Sequence, residues 1–427
     1  MPRRYRTGDQ SLVREINLST VIRCLRDGES LSRAQLAGLT GLNKTTVSSL
    51  VEELLGRGLV REAGQVASGG GRPATILELD PTAGSIIGVQ LGVDFISVVL
   101  ADFTGQISWQ RLEDTDPLVG KEAVLDQALR LVEDAIAAST GRLLGLGLAA
   151  PGTMDVEQGL LIFSPNLQWH NVPFRHIFQE RTGLEIFVDN DANAAALAEH
   201  FYGVAREAQD FIFVFAGVGV GGGLFLRGEL YRGASGFAGE IGHTNYTLEP
   251  YGAPCRCGNR GCWETSSNQY ALIERVRARL SVRRNSQLSQ MLAEQDTPLG
   301  LPVILEAAVA GDADVLEALG ESGSALGLGV ANLINIFNPE MVVIGGPLAA
   351  AGTYLLPTIK AMVEKTVLPE IRAQAQIVLS AFGTDASVIG AVALVVEAIL
   401  DYPSSVDPLS KPDSPSRTAA SVGQRAG

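Results

Sequence analysis

One histidine and three cysteines place the tightest constraint on this chain. His243 is followed, after eleven intervening residues, by Cys255, Cys257 and Cys262 in a Cys-x-Cys-x4-Cys pattern. One imidazole and three thiolates complete the four-ligand set of a structural zinc, which forces the loops carrying them to converge. The remaining cysteine, Cys24, lies far upstream in a helical pattern and is expected to be buried and inert. A disulfide within the cluster is the alternative. No secretory signal pattern is present, so the expectation is a reducing, cytoplasmic setting and zinc. Glu240 and Glu264 bracket the cluster. A metal here would fix both carboxylates near one point, giving a rigid wall suited to a polyhydroxyl ligand.

At 427 residues the chain is long enough for more than one core, and no apolar run is long enough to span a bilayer. The net charge of −14 speaks against a body that coats nucleic acid, but the charge is uneven. Residues 1–75 carry 11 basic and 7 acidic side chains; the rest carries 22 and 40. A basic head on an acidic body confines any nucleic-acid contact to the head.

That head, residues 1–80, reads as a winged helix-turn-helix. Leu12, Ile16, Leu18, Val21, Ile22 and Leu25 recur at helical spacing, and Asp27-Gly28 stops the run. Ser32-Arg-Ala-Gln35 has the capping-box form, with Leu36 and Leu39 following on one face. Gly41-Leu42 makes the turn, and Asn43 caps a second helix from Lys44 to about Gly56. Its opening face, Lys44, Thr45, Thr46, Ser48 and Ser49, is small and polar, as contact with base edges and phosphates requires. Strands beginning near Gly58 and at Thr75–Leu79 would form a wing. Between them, Gly69-Gly-Gly-Arg-Pro73 either is a solvated loop or carries Arg72 into a minor groove. A winged helix that docks on protein is the competing reading of the head.

From Ile86 the pattern becomes α/β. Paired strands at 85–92 and 96–102 and a third near Ile107 precede a helix over 121–138 and an apolar strand over 143–149. Phe211–Phe215 runs into a glycine-rich turn, and a helix around 325–337 precedes strands near 341–345 and 375–379 and a helix at 386–399. Two α/β halves with glycine-rich connections predict a cleft between them over residues 85–400. Residues 401–427, rich in Ser, Pro and Asp without periodicity, are expected to be a disordered tail.

Asn190-Asp-Ala-Asn193, Gly239-Glu-Ile-Gly-His243, the cysteine cluster and Val218-Gly-Val-Gly-Gly-Gly223 resemble the ROK family of repressors and sugar kinases. With the winged head, the resemblance is to its xylose-repressor-type regulators and covers roughly residues 8 to 400. It implies a two-lobed, actin-like, sugar-kinase-like (ribonuclease H-type) fold. It also implies that Asp191 matches the catalytic base of the family's kinases. Asn190, Glu240, His243 and Glu264 match sugar-binding positions, and Asn166 and Gly152 line the same pocket.

The phosphate side departs from that pattern. The kinases' early Asp-x-Gly-x-Thr loop reads Gln90-Leu-Gly-Val-Asp94, and their Gly-Thr-Gly reads Gly217-Val-Gly219. A carboxylate placed at Asp94 would repel polyphosphate, and Val218 lacks the hydroxyl that would meet it. The expectation is therefore a kinase-dead sensor that binds no ATP, in which Asp191 is a vestigial base serving as a ligand-binding carboxylate. It would be a repressor of carbohydrate metabolism, working as a homodimer or dimer of dimers on operator DNA and released by a monosaccharide. An active kinase with a DNA-binding head, or a regulator answering to a partner protein, are the alternatives.

Overall fold

Local sequence signals start the first elements where they were expected. In the computed structural model, which describes residues 9–28, 30–66, 73–247, 250–282, 286–295 and 298–409, helix α1 spans Gln10–Gly28. A short strand β1 (Leu31–Ser32) leads into α2 (Arg33–Thr40), and α3 covers Lys44–Gly56. Both halves of the Ser32–Gln35 capping box form, and the Asn43 side chain accepts from the Thr46 amide at 2.8 Å. Each cap satisfies amide groups that the first helical turn leaves unpaired. Strands β2 (Val60–Val66) and β3 (Ala74–Leu79) pair antiparallel, with β1 on the far side of β3. Leu18, Val21, Ile22, Leu25, Leu36, Val47, Leu50, Val51, Leu54 and Leu77 fill the head's core. Ile16 and Leu39, expected on the inner faces, are 55% and 65% exposed instead. Residues 67–72, Arg72 among them, lie outside the described residues.

The chain separates into two compact units, 1–83 with 398–427, and 84–397. The head unit therefore includes a C-terminal segment. Arg57 donates to the carbonyls of Ser404 and Val406 at 3.0 and 2.6 Å, and the Leu409 amide donates to Gly56 at 2.9 Å. Arg23 pairs with Asp401 at 2.5 Å, and the Ser404 amide donates to Glu15. The expected disordered tail began at residue 401. Residues 401–409 are ordered instead, because these hydrogen bonds replace those an extended chain would make to water; residues 410–427 lie outside the described residues.

The larger unit contains two five-stranded sheets and a small three-stranded one. Strands β4 (Ser85–Leu91), β5 (Phe95–Asp102) and β6 (Ile107–Asp114) form a meander. Helix α4 (Lys121–Ala138) leads to β7 (Leu143–Ala150), which runs parallel to β4. Strands β8 (Thr153–Asp155), β9 (Leu160–Ser164) and β10 (Trp169–Val172) form a small side sheet. Helix α5 (Phe174–Thr182) then returns the chain to β11 (Ile186–Asn190), completing the order β11-β7-β4-β5-β6. Helix α6 (Asp191–Tyr202) leads to the second sheet, which opens with the hairpin β12 (Phe211–Ala216) and β13 (Val220–Leu226). Strand β14 (Glu229–Leu230) edges it, and helices α7 (Glu264–Ser267), α8 (Gln269–Val282), α9 (Gln287–Gln295), α10 (Leu301–Val309) and α11 (Ala313–Phe337) follow. Strand β15 (Met341–Gly345), helices α12 (Gly352–Thr366) and α13 (Pro369–Arg372), strand β16 (Gln376–Leu379) and α14 (Ala386–Asp401) complete the chain, with sheet order β14-β13-β12-β15-β16.

Alanine-rich α6 packs flat against the second sheet. A Cβ on Gly223 would sit 2.5 Å from the Ala192 carbonyl, so the sheet needs a residue without one there. This close contact, with β11 ending at Asn190 and α6 starting at Asp191, puts the Asn-Asp-Ala-Asn segment where the two sheets face each other.

Candidate ligand cleft and metal centre

Asn190 is the N-cap of α6: its oxygen accepts from the Ala192 amide at 2.8 Å, and its nitrogen donates to the Gly152 carbonyl at 3.1 Å. That second bond ties α6 to the loop after β7. Gly152 has φ +124°, and a Cβ would lie 2.5 Å from the Phe163 carbonyl, so only glycine fits. Most of Asn190's hydrogen-bonding capacity is thus spent on holding the site's shape. Asp191 follows in the first turn, its carboxylate accepting from the Ala192 amide at 3.0 Å. Burial pushes Asp191 up to about 7, with the nearby Glu240 charge adding to the rise and the amide bond opposing it.

A second wall comes from the loop over 231–243. Glu240 stands 3.7 Å from His243 Nε2, and burial, partly offset by His243, raises its carboxyl above the ordinary range. The loop is anchored from below by Arg232, which makes two bonds to Asp189 Oδ2, at 3.0 and 2.7 Å. Asp189 is 1% exposed, and its other oxygen accepts from Asn193 and from the Asn190 amide. This buried pair holds the Glu240 loop to the strand that ends in Asn190.

Glu264, 6% exposed, closes the third side. Its Oε1 accepts from the Cys255 thiol at 2.8 Å, and its Oε2 from the Val220 amide at 3.4 Å. Short bridges, Asn245 to Cys262 and Pro254 to Arg260, shape the cysteine knuckle. Trp263 pins the knuckle to α11 through its indole N–H and the Ala325 carbonyl, 2.9 Å apart.

His243, Cys255, Cys257 and Cys262 place one donor atom each within 4.8 Å of one another. The Cys257 and Cys262 sulfurs are 3.7 Å apart, as are His243 Nδ1 and the Cys255 sulfur. Donors about 2.0–2.3 Å from a tetrahedral ion stand at such separations, so the set fits a metal of zinc type. The histidine turns Nδ1 to the cluster and Nε2 towards Glu240, so its two expected roles fall on opposite edges of one ring. Burial raises the Cys255 and Cys262 thiols above their ordinary range, and a cation would reverse that shift because the thiolate is the ligating form. Cys24, expected to be buried, is half-buried and unpaired with another cysteine.

These walls enclose a cleft of about 390 Å³, which Gly152, Asn166, Asn190, Asp191, Glu240, His243 and Glu264 all line. Asp94, Asp114 and Asp385 also line it, as do Gln90 and Val218, and among the described residues no lysine or arginine does. In the head, Lys44 and Thr45 are exposed and Thr46 and Ser48 half-exposed along one side of α3, opposite Val47, Leu50 and Val51 in the core.

Sequence reasoning missed Asp189, Arg232 and Trp263. An acid inside the apolar strand Ile186–Asn190 was a readable sign that a cation lay nearby, but its partner, 43 residues on, was not readable.

Comparison with known proteins gives the following. Residues 86–398 match the ROK family and residues 17–64 an IclR helix-turn-helix domain. A xylose repressor from Caldicellulosiruptor bescii is 34% identical over 400 residues, covering 93% of this chain and 99% of its own. An N-acetylglucosamine repressor from Escherichia coli O6:H1 is 31% identical over 399 residues, covering 92% and 95%. Among solved structures, a ROK family transcriptional regulator described as a homologue of the E. coli MLC protein superposes with TM-score 0.77 at 28% identity, covering 91% of this chain and 97% of that one. A ROK family glucokinase from Streptomyces griseus, in complex with glucose and AMPPNP, superposes with TM-score 0.66 at 29% identity, covering 73% and 99%.

Proposed function

The chain belongs to the ROK family, and on that premise we propose that it is a DNA-binding, sugar-responsive transcriptional repressor of carbohydrate metabolism. One observation carries the reading. A winged helix-turn-helix shares a chain with a cleft lined by Asp191, Glu240, His243 and Glu264 and, among the described residues, by no lysine or arginine. Asp191, Glu240, His243 and Glu264 accept from and donate to sugar hydroxyls, with Gly152, Asn166 and Asn190 shaping the pocket. Carboxylates and amides bind vicinal hydroxyls in fixed directions, which gives selectivity without charge neutralisation. Asp191 serves as a ligand-binding carboxylate. The protein does not act as a kinase, since Gln90, Asp94 and Val218 stand where phosphates would need an acid–metal pair and a hydroxyl.

Zinc on His243, Cys255, Cys257 and Cys262 is structural, fixing the wall that carries Glu264. Lys44, Thr45, Thr46, Ser48 and Arg72 meet operator DNA. The domains are a head over 1–80 and an effector body over 85–400. The protein works in the cytoplasm as a homodimer or dimer of dimers. Sugar releases DNA only through a difference in affinity between the two arrangements of the protein.

The test is operator binding, on duplexes selected in vitro by the full chain, titrated at fixed salt against free sugars. Relatives named for xylose and N-acetylglucosamine put those two first. A tenfold or larger fall in DNA affinity, about 1.4 kcal/mol of coupling, supports the reading. No response to any sugar removes it.

A further inference from the structure

We propose that the effector is an uncharged oligosaccharide of at least two rings, the second lying over Gln90, Ser97 and Asn193. This rests on the sugar-sensing reading above. Three polar side chains take no part in the sugar contacts of that reading. Gln90, Ser97 and Asn193 are each 2% exposed and line the cleft. The Gln90 amide oxygen, the Ser97 hydroxyl and the Asn193 side-chain oxygen have no hydrogen-bond partner among the described residues. A buried acceptor without a donor is costly, and three together are explained by a ligand that brings hydroxyls.

Register places Gln90 and Ser97 away from the wall already described, and Asn193, bonded to Asp189 from α6, stands between the two. Asp189, Ala149, Gln90 and Ser97 stand side by side on β11, β7, β4 and β5. Cross-strand neighbours share a sheet face, so the row presents its side chains to one side. Asp189 is occupied by Arg232 and Asn193, whereas Gln90 and Ser97 are not occupied. From the strand ending in Asn190 to the strand carrying Ser97 is three strand spacings, about 14 Å. One sugar ring held at Asp191, Glu240 and Glu264 does not reach across that distance, while a second ring linked to it does. The cleft volume of about 390 Å³ falls in the range of pockets that bury drug-sized ligands, about 300–1,000 Å³.

Charge sets the second half of the specificity. Asp94, Asp114, Asp191, Glu240, Glu264 and Asp385 line the cleft, and among the described residues no lysine or arginine does. A phosphorylated sugar would bring a dianion into that field with no counter-charge, and neutral hydroxyls do not carry that penalty.

The experiment uses the full, metal-loaded chain in calorimetric titrations. Xylose, glucose and N-acetylglucosamine are each compared with their β-1,4-linked dimer and with their monophosphate. The expected result is one dimer binding at least tenfold tighter than its monomer, and the matching phosphate at least tenfold weaker. Gln90→Leu and Ser97→Ala should each pull the dimer-to-monomer affinity ratio towards one. Ser97→Ala removes a single oxygen and carries the test alone should Gln90→Leu fail to fold. A monomer binding as tightly as every dimer overturns the proposal and leaves sugar sensing intact, with ordered water satisfying the three groups. A phosphate binding tighter than its free sugar also overturns it. If no sugar of either length binds, the sensing reading itself fails.

Discussion

The two ends of the cleft are built on opposite principles. Towards the knuckle, Glu264 is held by a thiol and an amide, Asn190 by a cap and a carbonyl, and Asp189 by Arg232. At the sheet end Gln90 and Ser97 are buried with no partner. The engaged end is preorganised, so a ligand there meets groups whose ordering cost was met on folding. The open end leaves hydrogen-bonding capacity for whatever enters. Geometry is fixed at one end, and selectivity is left adjustable at the other.

The contrast breaks most visibly at the proposed metal site. Cys262→Ala, or removal of the ion by a chelator, should lower sugar affinity about a hundredfold or more, because the scaffold for His243 and Glu264 is lost. Calorimetry paired with metal analysis checks this; unchanged affinity in a metal-free protein would mean the wall stands without an ion.

The next effect is on stability. Arg232→Ala leaves Asp189 buried without its counter-ion, with only the Asn193 and Asn190 donors remaining. Breaking a fully buried pair costs about 3–5 kcal/mol, and with Arg232 about a third exposed the expected loss is about 2–3 kcal/mol in denaturant unfolding. A loss below about 1 kcal/mol would show that the Glu240 loop is not anchored there.

A pH series sharpens the comparison at Asp191. Its carboxyl is raised to about 7 from 3.8, so between those values the folded protein holds a proton that the unfolded chain has released. Stability from this group therefore falls as pH rises from about 4 to about 7 and is level above that. Sugar affinity should move the other way, rising through pH 7 by about tenfold as the stronger, charged acceptor forms. Asp191→Asn should flatten both curves, and an unaltered profile in that variant would assign the titration elsewhere.

The smallest effect belongs to the open end. Ser97→Ala in the ligand-free protein should raise stability by about 1 kcal/mol, because it removes a buried hydroxyl that makes no bond. A loss above about 1.5 kcal/mol would mean the hydroxyl is already satisfied without ligand.

Features encoded within one or two helical turns were legible in the sequence. The Ser32–Gln35 box and the Asn43 cap fix where α2 and α3 begin, because a capping side chain must lie within three residues of the amide it serves. The cysteine cluster declared itself for the same reason: three ligands within eight residues leave little freedom in how they meet. The Asn190–Asn193 segment was legible through resemblance, and its place at the start of α6 agrees with the Asn cap at its head.

Tertiary structure alone decided what depends on partners far apart in the chain. Asp189 finds Arg232 across 43 residues and Glu264 finds Val220 across 44, pairings that no spacing encodes. Ile16 and Leu39 keep helical spacing yet lie outside the core, since periodicity names a face without saying whether another element covers it. Residues 402–409 read as tail by composition, but backbone carbonyls carry no sequence signature, and Arg57 holds two of them. The vacant acceptors of Gln90 and Ser97 were hidden for the same reason. A strand sequence shows which side chains alternate, while only the packed sheet shows which of them finds no partner.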